Sequence, residues 1–204
     1  LLNETSQRSW SEISWDASAS YKFSDRMTAY GTIQSGYQSG QFPPRPYCLF
    51  GNVTDFGTSP FTVNPVNCFE ANDNVTALNY EVGLKGQPLD NLEMSISVFY
   101  TDYKDLPYQV STTAGGGGFN TANIIVDQTS QGVEWESTWA ATDSFRLHTT
   151  IGYIDANVHD PNPAAVAPLT PEITASVSPE FTIPAGNGEL TMRADWSYRD
   201  KMYG

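Results

Sequence analysis

From Leu92 to Tyr100 every even position is apolar or aromatic: Leu92, Met94, Ile96, Val98 and Tyr100. The odd positions are Glu93, Ser95, Ser97 and Phe99. A period of two marks a β-strand with two unlike faces. The pattern recurs along the chain. Leu78, Tyr80, Val82 and Leu84 alternate with Glu81 and Lys85. Phe145, Leu147, Thr149, Ile151 and Tyr153 alternate with Arg146, His148 and Thr150. Leu190, Met192, Ala194, Trp196 and Tyr198 alternate with Glu189, Thr191, Arg193, Asp195 and Arg199. Eight strands are predicted, near residues 10–23, 26–37, 77–87, 92–105, 123–139, 145–156, 171–183 and 189–199. One face of each suits hydrocarbon and the other a wet lumen.

The connections sort by length. Short turns follow residues 23, 87, 139 and 183, whereas long stretches fill 38–74, 106–121 and 157–170. A soluble sandwich has no reason to place every long loop at one end. A transmembrane barrel does, with brief periplasmic turns and long outside loops. The three long loops are accordingly expected outside. Several predicted strands also exceed the roughly 9–11 residues that a tilted strand needs to cross a bilayer. In the hairpin around Pro88–Asn91, Leu84 is expected opposite Met94, with Lys85 facing Glu93 across the lumen side. Glu134, Glu136, Arg146 and His148 are expected on that same side, joined there by Arg193 and Asp195.

Composition qualifies this picture. The chain carries 11 Tyr, 10 Phe and 5 Trp, with only 16% charged residues. The negative mean hydropathy does not count against a barrel, because an alternating polar face hides a lipid face from window averages. No apolar run reaches the ~18 residues of a transmembrane helix. The net charge of −13 leaves no basic stripe to release phosphate counterions, so nucleic acid is excluded as a partner. The chain does not begin with Met, and no signal peptide is visible; it reads as a mature or truncated product.

Candidate chemistry is sparse. Cys48 and Cys68 lie in one long, turn-rich stretch. A disulfide between them would contribute roughly 3 kcal/mol in an oxidising compartment; the alternative is two free thiols. The run Gly115–Gly118 lacks the Lys and the strand-to-helix setting of a phosphate loop, and reads as a flexible tip. His148 and His159 are the only histidines. His148 reads as a hydrogen-bonded lumen side chain, and His159 with Asp155 and Asp160 as a loop coincidence rather than a metal site, so an enzyme is not expected. Asn3, Asn52 and Asn74 each open a glycosylation triplet, a pattern common by chance. Tyr47, Phe50, Phe56, Phe61, Phe69, Tyr108 and Phe119 are candidate ligand contacts in the loops, since aromatic rings offer contact area at low entropic cost. The competing reading is that they pack the loops on themselves.

Four segments resemble the C-terminal barrel of TonB-dependent outer-membrane receptors. They are Tyr21–Tyr30 running on to Gly36–Phe42, Tyr80–Lys85 leading to Phe99–Leu106, Gln131–Glu136 with Gly152-Tyr153, and Leu190–Arg199. The resemblance implies an antiparallel transmembrane β-barrel segment within a larger wall of about 22 strands. It also implies that the plug, the TonB-engaging segment and the other strands lie outside this chain. The implied location is the bacterial outer membrane, and the implied function is active uptake of a scarce solute: siderophore-iron, cobalamin, glycan or similar. Outer-membrane lipid, the TonB complex and a small solute are the implied partners. Two alternatives stand beside it: a small closed eight-stranded barrel with an adhesive or structural role, and a soluble secreted β-protein. Pairing of the first strand with the eighth would select the closed barrel.

Overall fold

The computed structural model describes residues 7–42, 71–114, 118–159, 167 and 170–202, with backbone alone for 109–114 and 118–124. The strands are β1 (Trp15–Lys22), β2 (Met27–Gln38), β3 (Val75–Leu89), β4 (Leu92–Ala114), β5 (Gly118–Thr142), β6 (Phe145–His159), β7 (Ile173–Ala185), β8 (Gly188–Arg193) and β9 (Trp196–Arg199). They form one antiparallel sheet in sequence order from β1 to β8, with β9 also paired to β7. The two outermost strands do not pair with each other among the described residues. The closed eight-stranded barrel is therefore not the arrangement formed.

β8 and β9 are one strand with a break. The register runs without a slip from Arg193 opposite Glu180 to Ser197 opposite Ser176. At the break Ala194 N–H donates to the Pro179 carbonyl at 3.1 Å. Proline has no N–H to return the bond, so the ladder lapses there. The eight predicted strands are thus the eight that form.

The turns obey the predicted alternation. Leu89 pairs with Leu92 across Asp90-Asn91, Thr142 with Phe145 across Asp143-Ser144, and Ala185 with Gly188 across Gly186-Asn187. Two-residue connections fit the twist of antiparallel strands when one residue takes positive φ, as Gly186 does at +62°. At the fourth turn, Ser24 Oγ accepts from the Met27 N–H at 3.0 Å.

Three expectations need correction. First, Leu84 stands opposite Ile96, and Lys85 opposite Ser95. A bulge between Gly86 and Leu89 puts two residues of β3 against Glu93 alone and draws the turn in to two residues. The resulting shift is two residues, so each side chain keeps its predicted face. Second, most of 106–121 is not loop: β4 continues to Ala114 and β5 begins at Gly118. Pro107, which argues against a central strand, is tolerated beyond a second bulge, between Tyr103 and Leu106. Third, β1 begins at Trp15 rather than Trp10. Trp10 is engaged elsewhere, as described below.

The sheet is a single layer with no core in the soluble sense. No large side chain is fully buried among the described residues. Val98, Val133, Ile151, Phe181, Met192 and Trp196 all stand well exposed on one face. A contiguous exposed apolar sheet of this extent is incompatible with free solution, which removes the soluble β-protein.

Candidate functional site

The polar face is assembled by register. Lys22, Thr28 and Lys85 lie in one cross-strand row. Ser95 and Glu136 continue it beyond Lys85, and Thr150 and Ser176 follow. Glu93, Thr138, His148 and Ser178 form the adjacent row. Glu81, Glu134, Arg146 and Arg193 fall on the same face. The predicted lumen residues are therefore brought onto one surface, although Lys85 and Glu93 are not opposite each other.

Two local clusters give this face its chemistry. Tyr30 lies across Gly83, donates its hydroxyl proton to Glu81 Oε1 at 2.7 Å, and carries Lys85 Nζ 5.4 Å from its ring centroid. Gly83 leaves room for the Tyr30 ring, which a Cβ would approach to 2.6 Å. Three strands on, Thr138 Oγ1 and His148 Nδ1 are 3.0 Å apart. In the same row Ser178 Oγ donates to Asp195 Oδ1 at 2.6 Å, and Arg193 Nε donates to that oxygen at 2.8 Å. Ser, His and Asp are neighbours here, but the serine proton is directed to the carboxylate while the imidazole bonds threonine. A hydrolytic triad needs the imidazole between the other two. The cluster is a hydrogen-bonded lining.

At the long-loop end, Lys104 and Asp105 oppose Asp127 alone. Asp105 takes φ of +60°, a left-handed conformation that Asp tolerates better than most side chains. Its N–H donates to Asp127 Oδ1 at 3.2 Å, and Lys104 Nζ donates to Asp127 Oδ2 at 3.0 Å. Lys104, bonded to it, and the Asp105 N–H hold the Asp127 carboxyl below its ordinary range; the same bond raises Lys104. Above the bulge Tyr108 donates its hydroxyl proton to Gln128, and burial pushes its phenol up. Of the candidate ligand aromatics, Tyr108 alone has a described side chain.

A clasp holds the stem of the connection between β2 and β3. Arg8 Nη1 donates to the Ala71 carbonyl at 2.8 Å, and Arg8 also pairs with Asp73. Trp10 Nε1 donates to the Asn72 carbonyl at 3.1 Å, and its ring meets Phe42 edge-on at 6.0 Å. Asn72 N–H donates in turn to the Gln41 carbonyl at 3.0 Å. Sequence reading assigned Trp10 to a strand and missed the clasp. Cys48, Cys68, Tyr47, Phe50, Phe56, Phe61 and Phe69 lie outside the described residues, as does the Phe119 side chain.

A family model described as TonB dependent receptor-like, beta-barrel matches residues 2–204. Among solved structures, the chain is similar to the ferric yersiniabactin uptake receptor FyuA from Yersinia pestis, with 17% identity and a TM-score of 0.64 over 89% of this chain and 25% of that one. It is also similar to BauA, the ferric preacinetobactin receptor from Acinetobacter baumannii, with 17% identity and a TM-score of 0.63 over 92% of this chain and 26% of that one. A third likeness is to the alcaligin outer membrane receptor FauA from Bordetella pertussis, with 15% identity and a TM-score of 0.60 over 93% and 30%. The chain therefore spans less than a third of the length of each of these structures. With the whole sequence matched and the open antiparallel sheet in hand, the chain belongs to the TonB-dependent receptor β-barrel family of the bacterial outer membrane.

Proposed function

We propose that this chain is part of the wall of a receptor that takes up a scarce solute actively, driven by the TonB complex. The observation that carries the reading is the polar face, continuous across every strand and backed by an apolar one. Such a wall needs the further strands of a barrel of about 22 to close around a path. In this reading the short turns face the periplasm and the long connections face outside. There Tyr108 and the aromatics of 38–74 meet the ligand, on a stem held by the clasp and by a Cys48–Cys68 bridge. Siderophore-bound iron is the favoured cargo, because three similar structures are receptors for such compounds. Cobalamin and glycan are the competing outcomes.

The test is uptake of labelled ferric siderophores, cobalamin and oligosaccharides by cells with and without the full-length protein, in TonB-containing and TonB-deficient backgrounds. Uptake of one class is expected only when both proteins are present. Accumulation that persists without TonB, or no binding of any class by purified protein, would overturn the reading.

A further inference from the structure

Residues 7–14 belong to no strand. β2 lies between β1 and β3 in the sheet, so Arg8 and Trp10 reach across residues 40–42 to bond 71–73 on the far side. The chain entering β1 is thereby fastened to the base of the β2–β3 connection and not to its own hairpin. That base is thinly held. The β2–β3 ladder ends at Gln38 opposite Val75. Beyond it, Asn72 N–H donates to the Gln41 carbonyl at 3.0 Å, and Gly40 N–H donates to Asn74 Oδ1 at 3.2 Å.

Two features make the fastening reversible. The first is at Asn72. Its backbone is used twice, the N–H by Gln41 and the carbonyl by Trp10. Its side-chain Nδ2, however, is buried with no hydrogen-bond partner among the described residues. An orphaned buried donor costs about as much as a hydrogen bond contributes, or more. Closing the clasp therefore forfeits at Asn72 much of what Trp10 and Arg8 supply, and ordering residues 7–14 draws on the remainder. The exposed Arg8–Asp73 pair adds little. Arg8 Cζ lies 5.8 Å from the Trp10 ring centroid, so one movement withdraws both donors. The second feature is Gly40. It lies against the Trp10 indole nitrogen and the Asn72 and Asp73 carbonyls, and a Cβ there would collide with all three. The bare backbone lets the indole enter and leave its seat.

We propose that residues 7–14 are a latch with two arrangements. Closed, the Trp10 indole sits on Gly40 and Arg8 holds the Ala71 carbonyl. Open, the indole leaves, water reaches the Asn72 amide, and the base of the β2–β3 connection loosens together with the chain entering β1. The near balance of gain and loss keeps both arrangements populated. The two connections are one unit, and whatever biases either acts on both. Under the uptake reading both lie outside, where a solute preferring one arrangement sets the latch. The latch itself rests on Asn72 and Gly40 and not on that reading.

The test is fluorine NMR of the full-length protein, without solute, carrying fluorinated tryptophan. The Trp10 signal is the one lost in Trp10→Phe, and its shift relative to the urea-unfolded protein reports the open fraction. Arg8→Ala removes a donor from the closed arrangement and is expected to raise the ratio of open to closed about fivefold. Gly40→Ala blocks the seat without touching a donor and is expected to move the signal the same way. Asn72→Leu keeps both backbone bonds and removes the orphaned donor. It is expected to lower the ratio about fivefold and move the signal the opposite way. A fixed brace would give the contrary result, since any change at its centre loosens it. A Trp10 signal unmoved by Asn72→Leu, or moved in the direction of Arg8→Ala, would overturn the latch. Phe42→Ala, on the β2 side, is expected to quicken hydrogen exchange at Glu12 several-fold. An unchanged Glu12 rate would overturn the coupling of the two connections. Neither result bears on uptake, which the transport assay decides.

Discussion

Glycines on the polar face are not equivalent, and the difference is testable one residue at a time. At Gly83 the obstacle to a Cβ is the far end of the Tyr30 side chain, which can rotate away. Gly83→Ala is expected to cost about 1 kcal/mol, the worth of the Tyr30–Glu81 hydrogen bond. At Gly132 a Cβ runs into the backbone carbonyl of Tyr153 as well as the Phe99 ring. That carbonyl belongs to the β5–β6 pairing and cannot turn away, so Gly132→Ala is expected to cost more, about 1–3 kcal/mol. Thermal unfolding of the two full-length variants, followed by heat-modifiable gel mobility, checks the order. Phe99 was visible in the sequence as an aromatic at a polar position of its strand. The glycine partners of Tyr30 and Phe99 needed the register. Asp127 offers a second residue-scale prediction. Its carboxyl is held below the ordinary range by Lys104 first and the Asp105 N–H second. A depressed carboxylate contributes stability that is complete above its unfolded value and lost as pH falls through the folded one. The Asp105 amide resonance is therefore expected to hold steady at neutral pH and shift only below the usual carboxylate range. Asp127→Asn is expected to abolish that titration.

Element existence and facing were legible because a period of two over many residues has no competing explanation. Register and strand ends were not, for reasons found at particular positions. The Gly86–Leu89 bulge shortens a turn that Pro88 and Asp90 made look longer. The β4–β5 extension passes through a stretch whose Pro and Gly residues imitate loop. Nothing local to Arg8 or Trp10 announces partners more than 60 residues away. That clasp makes its own prediction. Trp10→Phe keeps the ring against Phe42 but removes the donor to the Asn72 carbonyl. Arg8→Ala removes the donor to the buried Ala71 carbonyl. The exposed Arg8–Asp73 pair adds little by itself, so each change is expected to cost the stem about 1 kcal/mol. Hydrogen exchange at the Asn72 amide, which bonds Gln41, is expected to quicken several-fold. Exchange at Val82, in the middle of β3, is expected to stay unchanged. An unaltered Asn72 rate in both variants would show that the stem is held by its own ladder.

At the scale of the whole sheet, two adjacent residues can be asked to report two different solvents. Ile151 and Thr150 share β6 and the same pair of neighbouring strands, but point to opposite faces. Ile151 is 48% exposed, so an arginine there would meet little steric resistance from this chain. Any penalty must come from the surroundings. If the outward face meets hydrocarbon, Ile151→Arg is expected to destabilise the assembled barrel by about 2–4 kcal/mol, less if its depth lies near an interface. Among the described residues the Thr150 hydroxyl bonds that of Ser176, with oxygens 2.6 Å apart. Thr150→Arg places its charge on the face that already carries Glu134, Glu136 and Arg146, and is expected to cost no more than about 1 kcal/mol. Folding of the full-length protein into vesicles across a urea series measures both. The contrast depends on the direction of the side chain and not on the strand, the neighbours or the charge. Equal penalties for the two arginines would mean that both faces meet water, and the assignment of one face to lipid would fail.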